Sequence, residues 1–300
     1  MIIVRLSGGL GNQMFQYAFG KALAMRRGLD LKIDVSRYGT EPAEYRRYQL
    51  GGFDISADIV SPQDMRAMGL PPFDGSGVLS RLRRKLFRMR ESRLPLSQRR
   101  IVMEPRFTYC QEVLDVRDGA IFIGDWQSEK YFDDVAEDIR KEFSIREWTK
   151  NGKSIRDEIM SAKRGTPVSL HVRRGDNVSR PQSAAKYGTP STQYYLDAAA
   201  AIAKTVKDPA YYIFTDDVPW VEENLASLSP RVIVSDKGAT DAEEIVLMSL
   251  CKHHIISNST FSWWGAWLNP RDDKTVIAPK RWFRTTADTS DLFPGGWIRM

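Results

Sequence analysis

Short apolar runs alternate with longer amphipathic ones along most of the chain. At the start, "IIVRL" reads as a strand, "NQMFQYAFGKALAMRRG" as a helix closed by Gly28, and "LKIDV" as a second strand, which together make a βαβ unit. Residues 36–105 lose the alternation and read as an irregular insertion. Order resumes at "GAIFIGDW", followed by a helix over "SEKYFDDVAEDIRKEF". Beyond Asn151 the pattern is regular: a helix over "SIRDEIMSAK", strands at "PVSLHVRR", "AYYIFT", "RVIVS", "HHIIS" and "TVIA", and helices between them. Continuous apolar strands separated by helices predict parallel sheets covered on both faces. The polar stretch "REWTKNGK" marks a boundary, so the expected organisation is an N-terminal α/β domain over 1–150 and a C-terminal one over 151–285. The apolar, aromatic tail 286–300 is expected to dock back on the body.

Ligands of open parallel sheets bind outside the carboxyl ends of the strands, so the residues that follow each apolar run carry the candidate chemistry. Those residues are "SGGLGNQ", "HVRRGD", "TDD" and "SNSTFS". They supply flexible backbone, two guanidinium groups, carboxylates and hydroxyls at a helix start, which is the equipment of a phosphate-ester site. Gly8, Gly9 and Gly11 open a helix whose amides point at any anion placed there. The turn is neither a dinucleotide fingerprint, because Met14 stands where a third glycine is needed, nor a P-loop, because no "GK[ST]" follows. Ser259 or Thr260 can cap the next helix, with Phe261 beside a base or sugar, while Trp263, Trp264 and Trp267 read as core. Along the "HVRRGD" strand end, His171 and Arg173 share one side and Arg174 takes the other, with Asp176 expected to neutralise Arg173 or Arg174, and Arg174 the preferred partner. His253 and His254 are consecutive and oppose each other on a strand. With only Asp216–Asp217 and Asp241–Ala242–Glu243 imitating a metal-diphosphate motif, no required metal is expected.

Composition changes this picture in one place. The net charge is +6, but Arg81–Arg100 holds eight arginines, Lys85 and a single acid, Glu91, so the remainder of the chain is slightly acidic. Leu79, Leu82, Leu86 and Met89 recur there at helical spacing, predicting a basic amphipathic helix that packs on its own domain by that stripe. The alternative is a peripheral contact of residues 81–100 with membrane headgroups or a lipid-linked acidic glycan. Nucleic acid is not an expected partner, because only Phe87 interleaves the charges as a stacking platform. Cys110 and Cys251 read as reduced buried thiols. With no leader pattern and no long apolar span, the expected location is cytoplasmic, with the inner membrane face as the site of any peripheral contact.

Four segments resemble the family 11 glycosyltransferases, the α1,2-fucosyltransferases that use GDP-fucose: "SGGLGNQMFQYAFGKALA", "GDWQSEKYF", "HVRRGD" and "CKHHIISNSTFSWWGAWLNP". The resemblance implies an α/β fold of GT-B type, two facing Rossmann-like doubly wound parallel-sheet domains, with inverting transfer and no catalytic metal or other cofactor. It puts Arg173 on the β-phosphate of GDP-fucose, with His171 and Arg174 close by. Glu244 would hold guanine or ribose, and Ser259, Thr260 and Phe261 would line the diphosphate and nucleoside. Gly9, Gly11 and Asn12 would approach the sugar phosphate from the other domain, and Asp216 joins the donor-side set. Gln13, Trp126 and Gln127 are the acceptor-side expectation, and Asp176 is the nearest carboxylate to serve as a base. The implied partners are GDP-fucose and a galactose-terminated surface glycan of O-antigen type. Two other readings remain open: a nicotinamide oxidoreductase built on the glycine turn with Asp34, and a non-catalytic adaptor using the basic helix on membranes or nucleic acid.

Overall fold

The computed structural model describes residues 1–39, 47–69 and 77–300. Of the expected insertion, residues 40–46 and 70–76 lie outside the described residues, as does the Leu79 side chain of the expected stripe. The chain divides into two compact units. One comprises Met1–Gly51, Ile55–Glu142 and Asp288–Phe293, and the other Gly52–Asp54, Phe143–Ala287 and Pro294–Met300.

The first unit holds an all-parallel sheet of β1 (Ile2–Arg5), β2 (Leu31–Asp34), β3 (Asp58–Ile59), β4 (Ile101–Met103) and β5 (Ile121–Ile123) in the order β3-β2-β1-β5-β4. Residues 36–105 are therefore not an insertion: they supply both edge strands. Those strands are two and three residues long, too short to leave a readable period. The helix Leu10–Arg27 forms where the apolar stripe predicts it, and Gly28 ends it in the left-handed conformation (φ 60°) that lets its N–H reach the carbonyls of Ala24 and Met25. The stretch expected as one helix from Ser128 breaks into two short 3-10 turns before the helix Ala136–Glu142, because Phe132 leaves helical geometry at φ −148°.

The second unit holds β6 (Thr166–Val172), β7 (Pro209–Thr215), β8 (Arg231–Ile233), β9 (His253–Ile255), β10 (Val276–Ala278) and β11 (Ile298–Arg299), all parallel, in the order β11-β10-β9-β6-β7-β8. This is the doubly wound Rossmann order, with its switch point between β6 and β9. Alternation along β6 sends Val168, Leu170 and Val172 into a core with Tyr195, Ala198 and Ile202 of the helix Thr192–Thr205. Each such side chain contributes about 1.5–3 kcal/mol relative to exposure. Ser169 and His171 point to the opposite face by the same alternation. Of the final residues, Asp288–Phe293 belong to the first unit, where Asp291 accepts the Tyr109 N–H at 2.9 Å and pairs with Lys130, and Pro294–Met300 belong to the second, where β11 extends the sheet and Trp297 lies 5.6 Å from Trp263.

Candidate functional site

The switch point between β6 and β9 brings together the carboxyl ends of two strands, Val172 and Ile255, that are far apart in the sequence. Beyond β6 come Arg173 and Arg174; beyond β9 come Ser257, Asn258 and Ser259, leading into the helix Thr260–Leu268. His171 Nδ1 and Ser257 Oγ are 2.8 Å apart, and the imidazole stacks on Phe261 at 5.5 Å. Burial, reinforced by Arg173, pushes the His171 pKa down to about 3, so the ring is neutral and too weak a base to take a proton near neutrality. The neutral ring sits between Ser257 and Phe261. Ser259 caps the helix by accepting the Phe261 N–H at 3.3 Å, and Ser259, Thr260 and Phe261 all remain partly exposed. The three tryptophans behind them are buried.

The arginines differ from expectation in their partners. Arg173 faces Asp176 at 2.6 Å and Asp216 at 2.9 Å, so Asp176 holds Arg173 and not Arg174. Arg174 pairs with Asp217 at 2.9 Å, lies 4.5 Å over the Trp220 ring, and donates its backbone N–H to Asp216 at 2.8 Å. The β6–β7 register explains this exchange. Val172 pairs with Thr215, which sets Asp216 and Asp217 beside the arginines. Asp176 thereby helps to orient the Arg173 guanidinium. Asp216 likewise acts through Arg173, and a Cβ on Gly175 would stand 2.3 Å from its carboxylate. A guanidinium carries five N–H donors in a planar fork, and these two carboxylates fix the direction in which the rest point.

A third part of the rim was missed in the sequence. Ser235, just past β8, accepts the Thr215 N–H at 2.9 Å and donates to Glu244 at 3.1 Å. The β7–β8 pairing is what sets Ser235 beside Thr215. Burial raises the Glu244 pKa to about 7, above its ordinary 4.5. Between those values the folded chain keeps a proton that the unfolded chain releases, so this group makes stability fall as pH rises from about 4.5 to about 7. In urea unfolding followed against pH, Glu244→Gln is expected to lose that slope and to gain on the wild type by on the order of 2 kcal/mol above pH 7. A constant difference between the two proteins from pH 4.5 to 8 would remove the buried-carboxyl assignment.

Between β6 and the helix Thr192–Thr205 the chain forms two short helices, Gly175–Ser179 and Pro181–Lys186. Their exit is fastened by Asn258, whose side-chain amide donates to the carbonyls of Tyr187 and Trp282 at 3.0 and 3.2 Å. His253 accepts the Thr275 N–H, and His254 is held between Ser169 and Asn269, both at 2.8 Å, so each histidine is a structural residue of β9. Among the described residues no group of three or more His, Cys, Asp or Glu side chains is placed to hold a metal ion.

In the first unit the switch point lies between β1 and β5, where the glycine turn meets "GDWQ". Gly8 has φ 76°, and a Cβ there would meet Asn12 at 2.6 Å. Gly9 is the N-cap of the helix and Gly11 is buried in its first turn. Gln16, another residue missed in the sequence, ties the two ends: it accepts the Ser7 N–H at 2.8 Å and donates to the Gly124 carbonyl at 3.0 Å. Asn12 accepts from Gln127 at 3.3 Å. Gln13 is wholly buried, donating to the Arg47 carbonyl at 2.8 Å and accepting the Gln49 N–H at 3.0 Å, so its expected acceptor role gives way to a backbone clamp. Trp126 is also corrected. Its indole is 0% exposed, stacked on Phe19 at 4.2 Å and edge-on to Tyr131. Its left-handed backbone (φ 54°) is held by Glu104, which accepts the N–H groups of Asp125 and Trp126 at 2.6 and 3.0 Å. Gln127 is 5% exposed beside it. Asp34 is buried against Arg5 at 2.7 Å and accepts the Ser36 N–H, leaving the nicotinamide reading without the ribose ligand it requires.

Comparison with known proteins is consistent with these two units. An α-1,2-colitosyltransferase of Escherichia coli is 32% identical over 308 residues, covering 100% of this chain and 99% of that protein. The O-antigen biosynthesis glycosyltransferase WbnK of Escherichia coli is 31% identical over 311 residues, covering 98% and 99%. Among solved structures, a variant of Arabidopsis thaliana FUT1 in complex with GDP superposes with a TM-score of 0.51 at 14% identity, over 92% of this chain and 70% of that one, a likeness of fold. The model of glycosyl transferase family 11 matches residues 120–300, which include β5 and every strand of the second unit, and the chain belongs to that family.

Proposed function

We propose that the protein is an inverting, metal-independent transferase that moves L-fucose from GDP-fucose to the 2-hydroxyl of a terminal galactose on a cell-surface oligosaccharide of O-antigen type. The observation that carries the reading is Arg173, set at the Rossmann switch point beside the start of the helix Thr260–Leu268 and aimed by two carboxylates. In this reading Arg173 takes the β-phosphate, while the Ser259 and Thr260 hydroxyls and the helix amides take the remaining phosphate oxygens. Glu244 and Ser235 receive the nucleoside, with Phe261 against it. As the bond to the sugar breaks, negative charge accumulates on the departing diphosphate, and donors fixed there bind the transition state more strongly than the ground state. Positive charge supplied by arginine does the work that a divalent cation does elsewhere. Asp176 and Asp216 serve as positioning residues for Arg173.

The donor sugar has a specific second reading. The E. coli relative named for colitosyl transfer matches the chain along its full length, and colitose differs from fucose in lacking the 3-hydroxyl. A pocket built to hydrogen-bond a hydroxyl rejects the sugar that lacks it, whereas a pocket that ignores the hydroxyl accepts both. The deciding experiment measures GDP release from GDP-fucose and GDP-colitose over a panel of β-galactosides, with and without EDTA. Fucose-dependent release that survives EDTA is the expected result. Release from GDP-colitose alone would transfer the assignment to the deoxy sugar, EDTA sensitivity would end the metal-free reading, and no release with either donor would end the transferase reading for galactosides.

A further inference from the structure

The helix Val78–Ser92 takes no part in either switch point, and it has two apolar sides. At 100° per residue, Phe87 and Glu91 share one side, while Val78, Leu82, Leu86 and Met89 fall within about 80° of arc on the other. The first side faces the protein. Phe87 packs on the cluster of Ile3, Met65, Ile101 and Ile121, and buried Glu91 accepts the backbone N–H groups of Arg100 and Ile101. The second side faces water: Val78 is 76% exposed, Leu82 50%, Leu86 56% and Met89 47%. The expectation that this stripe packs on its own domain is thereby overturned. Lys85, Arg90 and Arg93, all exposed, stand among and beside it. The only acid of the segment is the inward Glu91, so the outward surface of a stretch carrying a net +8 between Arg81 and Arg100 is cationic and apolar together.

These two properties select the occupant. Nucleic acid would use the cations and leave four large apolar side chains in water, with no exposed aromatic ring among the described residues of the helix to stack on. A second copy of the chain would bring the same cations against themselves. An anionic bilayer takes both: Leu, Val and Met enter the boundary of the acyl chains, and the long cationic side chains reach back to the headgroup phosphates. We propose that Val78–Ser92 is an interfacial helix that docks the first unit on an anionic lipid surface. Among the described residues no helix is long and apolar enough to cross a membrane, so the attachment is one of lying on the surface. The proposal does not depend on the transferase reading, and its test needs no donor or acceptor.

The test is sedimentation of the full chain with vesicles of phosphatidylcholine alone and of phosphatidylcholine mixed with phosphatidylglycerol. Each cation held at an anionic surface adds about fivefold to partition, so binding to the mixed vesicles at least about tenfold stronger than to phosphatidylcholine is expected, weakening with salt. Leu82→Glu with Leu86→Glu should lower the bound fraction about tenfold and leave the unfolding temperature unchanged, because both side chains already stand in water. Lys85→Glu with Arg93→Glu should abolish the preference for phosphatidylglycerol. Equal partition onto the two vesicles, or unchanged binding of the leucine variant, overturns the proposal. So does a wild-type dimer that the leucine variant dissolves in light scattering while vesicle binding persists, which assigns the stripe to a second copy. Binding to poly(U) without binding to vesicles overturns it in favour of nucleic acid.

Discussion

Arg173→Lys is expected to lower turnover with GDP-fucose by about 10²–10³, the loss typical of removing one donor from a developing anion. Charge is conserved in this exchange, so the effect isolates geometry. A guanidinium meets two phosphate oxygens in one plane, whereas an ammonium on a flexible stem offers one point of charge. In this site the difference is sharpened by Asp176 at 2.6 Å and Asp216 at 2.9 Å, which hold two nitrogens of the fork and would draw a lysine toward themselves and away from the ligand. The loss should fall mainly on kcat, because the contact strengthens as the leaving group gains charge. Arg174→Lys supplies the contrast. Arg174 pairs with Asp217 and lies over Trp220, so its replacement loses a stack and is expected to leave turnover within about tenfold of the wild type. Steady-state GDP release by the two variants checks the ranking. Near-native turnover in Arg173→Lys would remove the phosphate role, and an equal loss in both would return the arginines to a symmetrical pair.

The pairing of Arg173 shows where sequence reasoning reaches its limit. That a cationic strand end would stand at a ligand-binding edge was legible, because parallel sheets collect their sites beyond the carboxyl ends of the strands and "PVSLHV" marks such an end. Which carboxylate holds which arginine was not legible, because it depends on the register of β6 against β7 across about forty residues of chain. The same limit hid Ser235, which meets the Thr215 N–H only through the β7–β8 pairing, and Glu104, which reaches the "GDW" turn from the neighbouring strand. The alternation of the second unit was readable because its longest strands, β6 and β7, run seven residues and are buried on both faces. In the first unit β3 and β4 were lost for the opposite reason: two or three residues carry no period. The basic helix was readable as amphipathic, but which of its apolar residues turns inward was not, since Phe87 lies opposite the longer stripe and docks instead of it.

Trp126→Ala is expected to cost about 3–5 kcal/mol of stability, the range for truncating a buried large aromatic side chain. The indole is fully enclosed, stacked on Phe19 at 4.2 Å with 7° between planes and edge-on to Phe122 and Tyr131, so its removal opens a cavity among rings that cannot all collapse into it. The backbone adds to the loss. Trp126 occupies the left-handed region, which a side chain tolerates only when its surroundings hold it there; the Glu104 carboxylate and the packed indole are those surroundings. With the ring gone, the turn that carries Asp125 and sets Gln127 against Asn12 keeps only its hydrogen bonds. Turnover should therefore fall together with the unfolding temperature, and Trp126→Phe should recover much of both by refilling part of the cavity. A surface contact with the acceptor makes a different forecast: a raised KM for the galactoside, an unchanged unfolding temperature and no rescue by phenylalanine. Thermal unfolding and acceptor kinetics on the two variants separate these outcomes. An unaltered unfolding temperature in Trp126→Ala would return Trp126 to the acceptor surface and leave the first unit without the aromatic cluster that fixes its second switch-point loop.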